Sequence, residues 1–176
     1  MSERRLKTKY ITVSAMLCAL GVILLGLGSV IEVLDLSTAV LASLLGVYAV
    51  IEMGKGYPWM IWLVTSILAI LLLPLKTPAL FYALFAGYYP ILKEKLEKLP
   101  RVLSIVLKLA VFHLSLGLIY LLLKLFLPTM LETYGLQWLP WILYGMLLVC
   151  FVLYDIALTR LITFYLLRLR KHFKIR

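Results

Sequence analysis

Charged residues are scarce in this sequence. Asp, Glu, Lys and Arg make up 15% of its 176 residues, whereas 64% are hydrophobic. An ordinary soluble domain is about one quarter charged and about half apolar. Several apolar runs approach or exceed the roughly 20 residues needed to cross a bilayer, and an apolar run in lipid must be helical to satisfy its backbone. The composition therefore excludes an ordinary soluble domain and predicts an all-α, polytopic membrane protein forming a single integral domain over residues 1–176.

Cysteines and catalytic motifs are also few or absent. The 2 cysteines, Cys18 and Cys150, lie within apolar runs, which is typical of packing residues rather than of a disulfide framework or a metal site. The sequence contains no Walker motif, no GxSxG and no HExxH, and the ionisable residues within its apolar runs are scattered. We therefore expect a protein that is not an enzyme and that uses no cofactor and no metal.

The apolar runs predict six membrane-spanning helices. They cover about residues 11–31, 37–53, 59–73, 78–92, 102–127 and 138–161. The basic N-terminus leads into the first run without a small-residue cleavage site, so we expect a retained span rather than a cleaved signal. The fourth run is short for a crossing, and a re-entrant loop is its rival interpretation.

The distribution of basic residues distinguishes these two interpretations. With six crossings and a cytoplasmic N-terminus, all 18 Lys and Arg residues except Lys76 and Lys124 lie on the cytoplasmic side or reach it along their flexible stems. A re-entrant fourth segment would turn residues 93–101 and the C-terminal cations outward, against the positive-inside rule. We therefore expect a protein of the cell membrane with both termini in the cytoplasm. We also expect its net charge of +10 to interact with membrane lipid rather than with nucleic acid.

The outer face is predicted to gather a small set of charged and aromatic residues. A small-molecule pocket combines aromatic walls with a few oriented charges, and these residue types would supply both. The candidate substrate-binding residues are Glu32, Asp35, Lys76, Tyr82, His113, Tyr120, Lys124, Trp138 and Trp141. The alternative is that the aromatic residues are ordinary interface anchors, and that His113 is a neutral imidazole hydrogen-bonded to a neighbouring helix.

Two alanines on the first helix suggest a contact with another protein. Ala15 and Ala19, in SAMLCALG, are four residues apart, a spacing that lets helix backbones approach closely. Through this motif and its six predicted spans, the chain resembles the substrate-binding S components of energy-coupling factor vitamin transporters, whose first helix carries an AxxxA motif. The resemblance implies that Ala15 and Ala19 face a transmembrane coupling subunit and that a small solute binds in the outward-facing half.

Three functional hypotheses remain open at this point. The first is a small membrane subunit that binds an extracellular solute for uptake with a partner transporter module. The second is a non-transporting scaffold or regulatory subunit acting through helix–helix contacts, since the chain also resembles, more loosely, six-helix scaffold subunits of cell-wall elongation complexes. The third is a lipid-handling protein. A closed aromatic cavity between the outer helix ends would favour the first, and a packed core with small residues facing the lipid would favour the second.

Overall fold

The computed structural model describes residues 3–54, 56–126 and 139–169. Within these residues the chain is helical and has no strand. The helices are α1 (Glu3–Val30), α2 (Asp35–Met53), α3 (Tyr57–Leu72), α4 (Thr77–Phe81), α5 (Tyr89–Leu96), α6 (Arg101–Phe126) and α7 (Leu139–Phe164). A short 3-10 turn covers Glu32–Leu34, and π-helical segments cover Tyr82–Ala86 and Tyr165–Leu169.

Four of the described helical stretches are long and apolar enough to cross a membrane. They are Arg4–Val30, Asp35–Met53, Arg101–Leu122 and Tyr144–Arg168, judged by length and composition. The apolar helix α3 is shorter, at 16 residues. The predicted helical fold is therefore confirmed for the described residues, with four helices long and apolar enough to span a membrane, whereas the six crossings and the cytoplasmic termini remain predictions.

Most helix boundaries lie within a few residues of those predicted, and α1 is the exception. It begins at Glu3 rather than at residue 11, so the basic N-terminal arm is a continuation of the helix. The hydroxyl groups of Thr8 and Thr12 donate to the carbonyls of Arg4 and Thr8, each at 3.0 Å. An apolar run shows only which part of a helix lies in lipid. The helix itself can extend beyond that part through charged residues, as α1 does.

The fourth predicted span is an interrupted helix. The π segment Tyr82–Ala86 separates α4 from α5, and the Gly87 N–H donates to the Tyr82 carbonyl, five residues earlier, at 2.7 Å. The indole N–H of Trp62 in α3 donates to the Ala83 carbonyl at 3.1 Å. Because a π segment breaks the regular i→i−4 ladder, this bond from α3 supplies a backbone group with a partner.

The chain divides into two compact units, Met1–Lys108 and Leu109–Arg176. These units are groups of residues in mutual contact, and the single-domain prediction stays a prediction.

Small residues form most of the core of the first unit. Its central cluster consists of Leu25, Ala39, Ala42, Ala69, Leu73, Ala79, Tyr82 and Ala86. Gly21 of α1 lies against Thr65 of α3, where a Cβ atom on the glycine would be 3.0 Å from the threonine methyl group. Small side chains let membrane helices approach until their backbones nearly touch, and α1, α2 and α3 pack in this way.

The side chain of Ser29 makes two hydrogen bonds to the backbone of Leu75 in the first unit. The Ser29 hydroxyl donates to the Leu75 carbonyl at 3.1 Å and accepts from the Leu75 N–H at 2.8 Å. Ser29 is buried, so both bonds are protected from solvent. They hold the connection between α3 and α4 against the end of α1.

Aromatic side chains carry the packing of the second unit. The rings of Phe112 in α6 and Phe151 in α7 stack with centroids 4.6 Å apart and planes 17° apart. Tyr154 and Leu158 are also buried. Leu158 lies one helical turn beyond Tyr154, and Tyr154 lies three residues beyond Phe151, so the three share one face of α7.

Candidate functional site

An open apolar groove of about 610 Å³ lies between α1 and α3 in the first unit. We call it the α1–α3 groove. Its lining residues are Ile11, Ser14, Ala15, Cys18 and Ala19 of α1, with Gly56, Tyr57, Met60, Ile61, Val64 and Leu68 from α3 and the residue before it. The volume falls within the range of about 300–1,000 Å³ that is usual for ligand pockets.

Two polar side chains of the groove walls are engaged within the protein. The Ser14 hydroxyl donates to the Met53 sulfur at 3.7 Å, and the Cys18 thiol donates to the Ile61 carbonyl at 3.8 Å. The rings of Tyr10 and Tyr57 meet edge to face at one end, with centroids 5.4 Å apart. The groove therefore offers an occupant mainly shape and apolar surface.

The two alanines of the AxxxA motif lie on the open wall of this groove. Ala15 and Ala19 are both exposed, and the side chain of Cys18 is buried beneath them. This placement is compatible with a contact to another protein, which stays a prediction. The opposite wall, on α3, was not anticipated from the sequence, because the pairing of α1 with α3 is a tertiary contact.

The predicted substrate-binding residues of the first unit are in dissimilar surroundings. Lys76 is exposed, and its ammonium group donates to the Leu73 carbonyl at 2.5 Å. Tyr82 is 1% exposed and belongs to the central cluster. Asp35 begins α2 and is half-buried. Tyr82 thus occupies a core position in this arrangement, and it presents no surface on which a ligand would rest.

Two further candidates lie in the second unit. His113 Nδ1 is 2.7 Å from the Leu109 carbonyl, and its Nε2 is 2.5 Å from the Tyr144 hydroxyl. Because a carbonyl only accepts, Nδ1 carries the hydrogen and donates to Leu109, and the Tyr144 hydroxyl is the hydrogen-bond partner of Nε2. His113 of α6 is therefore paired with Tyr144 of the neighbouring helix α7. Tyr120 is exposed on α6.

The remaining candidates lie wholly or partly outside the described residues. Trp138 is outside them altogether. Glu32, Lys124 and Trp141 lie on described helical backbone, and their side chains are outside the described part.

A buried lysine was missed by the sequence analysis. Lys93 was assigned to the cytoplasmic residues 93–101, yet its side chain is 0% exposed and its ammonium group lies 3.0 Å from Glu97 Oε1. Lys108 lies 3.5 Å from the same oxygen atom. Two signals indicated this position: Glu97 follows Lys93 by four residues, and the buried Tyr89 precedes it by four. A buried charge is tolerated only with such a partner, so this cluster has a structural explanation.

Similarity to known proteins adds nothing to this geometry. No family model matches the chain, and no curated protein or solved structure matches it. Across residues 3–54, 56–126 and 139–169, no three His, Cys, Asp or Glu residues are grouped so that they would hold a metal ion. The α1–α3 groove is therefore the candidate site on its own geometry.

Proposed function

We propose that this chain is a small integral membrane subunit that docks onto a partner membrane protein through the α1–α3 groove. The observation that carries the proposal is the exposure of Ala15 and Ala19 along one wall of an open apolar groove. Membrane helices associate through close packing at small residues, because lipid gives them no hydrophobic drive. A helix seated there would also cover Met60, which is 63% exposed.

The proposal includes six crossings with both termini on the cytoplasmic side. The charge distribution supports this topology. If the interrupted fourth helix crosses the membrane, residues 93–101 and the C-terminal cations lie on the same side as the basic N-terminus. At 1.5 Å per residue, the 16 residues of α3 extend about 24 Å, against a hydrocarbon core of about 30 Å. Local thinning of the bilayer accommodates a mismatch of this size at modest cost. Reporters fused to the first and last residues test this topology, and opposite locations would overturn it.

Docking is compatible with either of two broader roles. In the first, suggested by the resemblance to S components, the subunit binds an extracellular small solute and delivers it to a partner transporter module. In the second, it is a scaffold and carries no solute. The packed core around Tyr82 favours docking as the primary function of the first unit.

Filling the groove tests the docking proposal. We expect the double substitution Ala15→Leu/Ala19→Leu to lower recovery of the partner about tenfold when the tagged full chain is purified from its native membrane, because leucines there prevent close backbone approach. The matched control is Thr12→Leu/Met16→Leu, which places leucines on exposed positions of α1 outside the groove lining. Equal recovery with the two variants, at equal expression and thermal stability, would contradict docking at the groove.

A ligand test separates the two broader roles. Native mass spectrometry of the purified chain detects a retained small organic molecule, and a thermal-shift panel of vitamins identifies its class. A retained ligand supports the substrate-binding role. Partner recovery without a ligand and without any thermal shift supports the scaffold.

A further inference from the structure

We infer that the element seated in the α1–α3 groove is a single transmembrane helix of the partner, and that the end of this helix beside Arg4 and Lys7 is acidic. This inference rests on the proposed docking function and specifies the chemistry of the partner.

The face of α1 that lines the groove continues into its basic arm. At about 100° per residue, Arg4 and Lys7 lie within about 40° of Cys18 around the helix axis, about three to four turns before it. Arg5 and Lys9 lie about 140° and 180° away from Cys18. Arg4 and Lys7 are both exposed. An occupant that follows the groove towards the start of α1 therefore meets these two cations.

The groove wall favours a helix over a lipid chain. Lipid tails pack equally well against large apolar side chains, whereas a helix backbone approaches closely only where side chains are small. Ser14, Ala15, Cys18 and Ala19 form such a wall over two turns of α1. A helix is therefore the occupant that uses the particular shape of this groove.

Charge complementarity defines the end of that helix. The polar atoms of Ser14 and Cys18 are directed to Met53 and Ile61 of this chain. These two side chains therefore do not fix the direction of an apolar helix. Arg4 and Lys7 supply direction, because opposite charges across an interface select register and partner. An acidic end would lie beside them, and a basic end would be repelled.

Site-specific photo-cross-linking in the native membrane tests the occupant. A photoreactive phenylalanine analogue replaces Met60 in the groove or, as matched control, Met16 on the opposite face of α1, and the two methionines are 63% and 67% exposed. We expect the Met60 probe to cross-link one transmembrane helix, and peptide mapping to find Asp or Glu within two turns of its end beside Arg4. We expect the Met16 probe not to cross-link that helix.

Charge reversal tests the acidic end separately. We expect Arg4→Glu/Lys7→Glu to lower the Met60 cross-link about tenfold relative to Arg5→Glu/Lys9→Glu. Both variants carry the same change in net charge on the same arm, so effects on insertion and topology are shared. Replacing the mapped acidic residue of the partner by Lys restores cross-linking to Arg4→Glu/Lys7→Glu.

The outcomes separate this inference from the docking proposal. If the Met60 probe cross-links a helix but the two charge variants behave alike, or the mapped end is not acidic, this inference fails and docking stands. A cross-link to lipid alone, or equal cross-linking from Met60 and Met16, overturns both. A cross-link to a second copy of this chain is judged by the same mapping and charge variants.

Discussion

The two units of the chain hold their helices together in different ways. In the first unit, alanines and glycines bring backbones into contact, and side chains such as Ser29 and Trp62 bond to backbone groups of neighbouring segments. In the second unit, stacked rings and a His113–Tyr144 hydrogen bond join α6 to α7. In the most apolar stretch of α2, 44% of the residues are buried, against 17% in the corresponding stretch of Tyr144–Arg168. We therefore expect the first unit to tolerate added atoms poorly and the second to tolerate them well.

The largest expected contrast comes from adding one methyl group to a glycine in each unit. A Cβ atom on Gly87 would lie 2.5 Å from Trp62 Cδ1 and 2.8 Å from the Tyr82 carbonyl, whereas one on Gly117 would meet nothing within 4 Å. We expect Gly87→Ala to lower the free energy of unfolding by about 3 kcal/mol. Gly117→Ala should raise the free energy of unfolding by about 0.5 kcal/mol, because alanine lowers the backbone entropy of the unfolded chain. Unfolding titrations in detergent measure both, and similar effects would remove the contrast between the units.

A second contrast compares the ion pair of the buried Lys93 with that of the exposed Lys98. Glu97→Gln removes the carboxylate beside the buried Lys93, and we expect a loss of about 2 kcal/mol of unfolding free energy. Glu94→Gln breaks the exposed pair with Lys98, 2.8 Å long, and should cost below about 0.5 kcal/mol. The same titrations compare them. Equal costs would show that burial of Lys93 does not determine its contribution.

The bond from α3 to the π segment is expected to contribute a smaller amount. Trp62→Phe removes the donor to the Ala83 carbonyl and leaves that oxygen without this partner, at a cost of about 1–2 kcal/mol. Trp59→Phe is the control, since it replaces an indole of the same helix that packs against Trp62, with centroids 5.6 Å apart, and leaves the Trp62 donor in place. Hydrogen exchange of the Gly87 amide, which closes the π segment, should be faster in Trp62→Phe and unchanged in Trp59→Phe.

The smallest effect is expected in the second unit. A double-mutant cycle of His113→Ala and Tyr144→Phe isolates their hydrogen bond, and polar pairs between membrane helices contribute about 0.6 kcal/mol on average. We expect a coupling energy of that size. A coupling above about 2 kcal/mol would place this bond on a level with the first unit and contradict the comparison.

Much of the fold is predictable because lipid restricts the choices. A long apolar run must be helical in a bilayer, so α2 and α6 begin and end within about two residues of their predicted bounds. Hydropathy contains no information on hydrogen-bond register, and the π segment was therefore missed. It also treats every lysine as solvated, so the burial of Lys93 went unrecognised although Tyr89 and Glu97 lie on its face.

The candidate site was predictable in part. The spacing of Ala15 and Ala19 indicated a small-residue face, and the structure leaves that face exposed. Its opposite wall depends on α3 approaching α1 at Gly21 and Thr65, which no local pattern reveals. Tyr82 was proposed as a ligand contact because aromatic residues near an interface suit a pocket, yet the same chemistry suits a core, where the structure places it.

The number of residues in the π segment determines which way the residues that follow it face. One extra residue in a helical turn rotates every later position by about 100° about the axis. Tyr89 and Lys93 face inward with the Tyr82–Ala86 segment at its present length. We expect deletion of a single codon there to turn the Lys93 ammonium group away from the interior. Length variation in this stretch would therefore act by reorienting a charge rather than by trimming a connection.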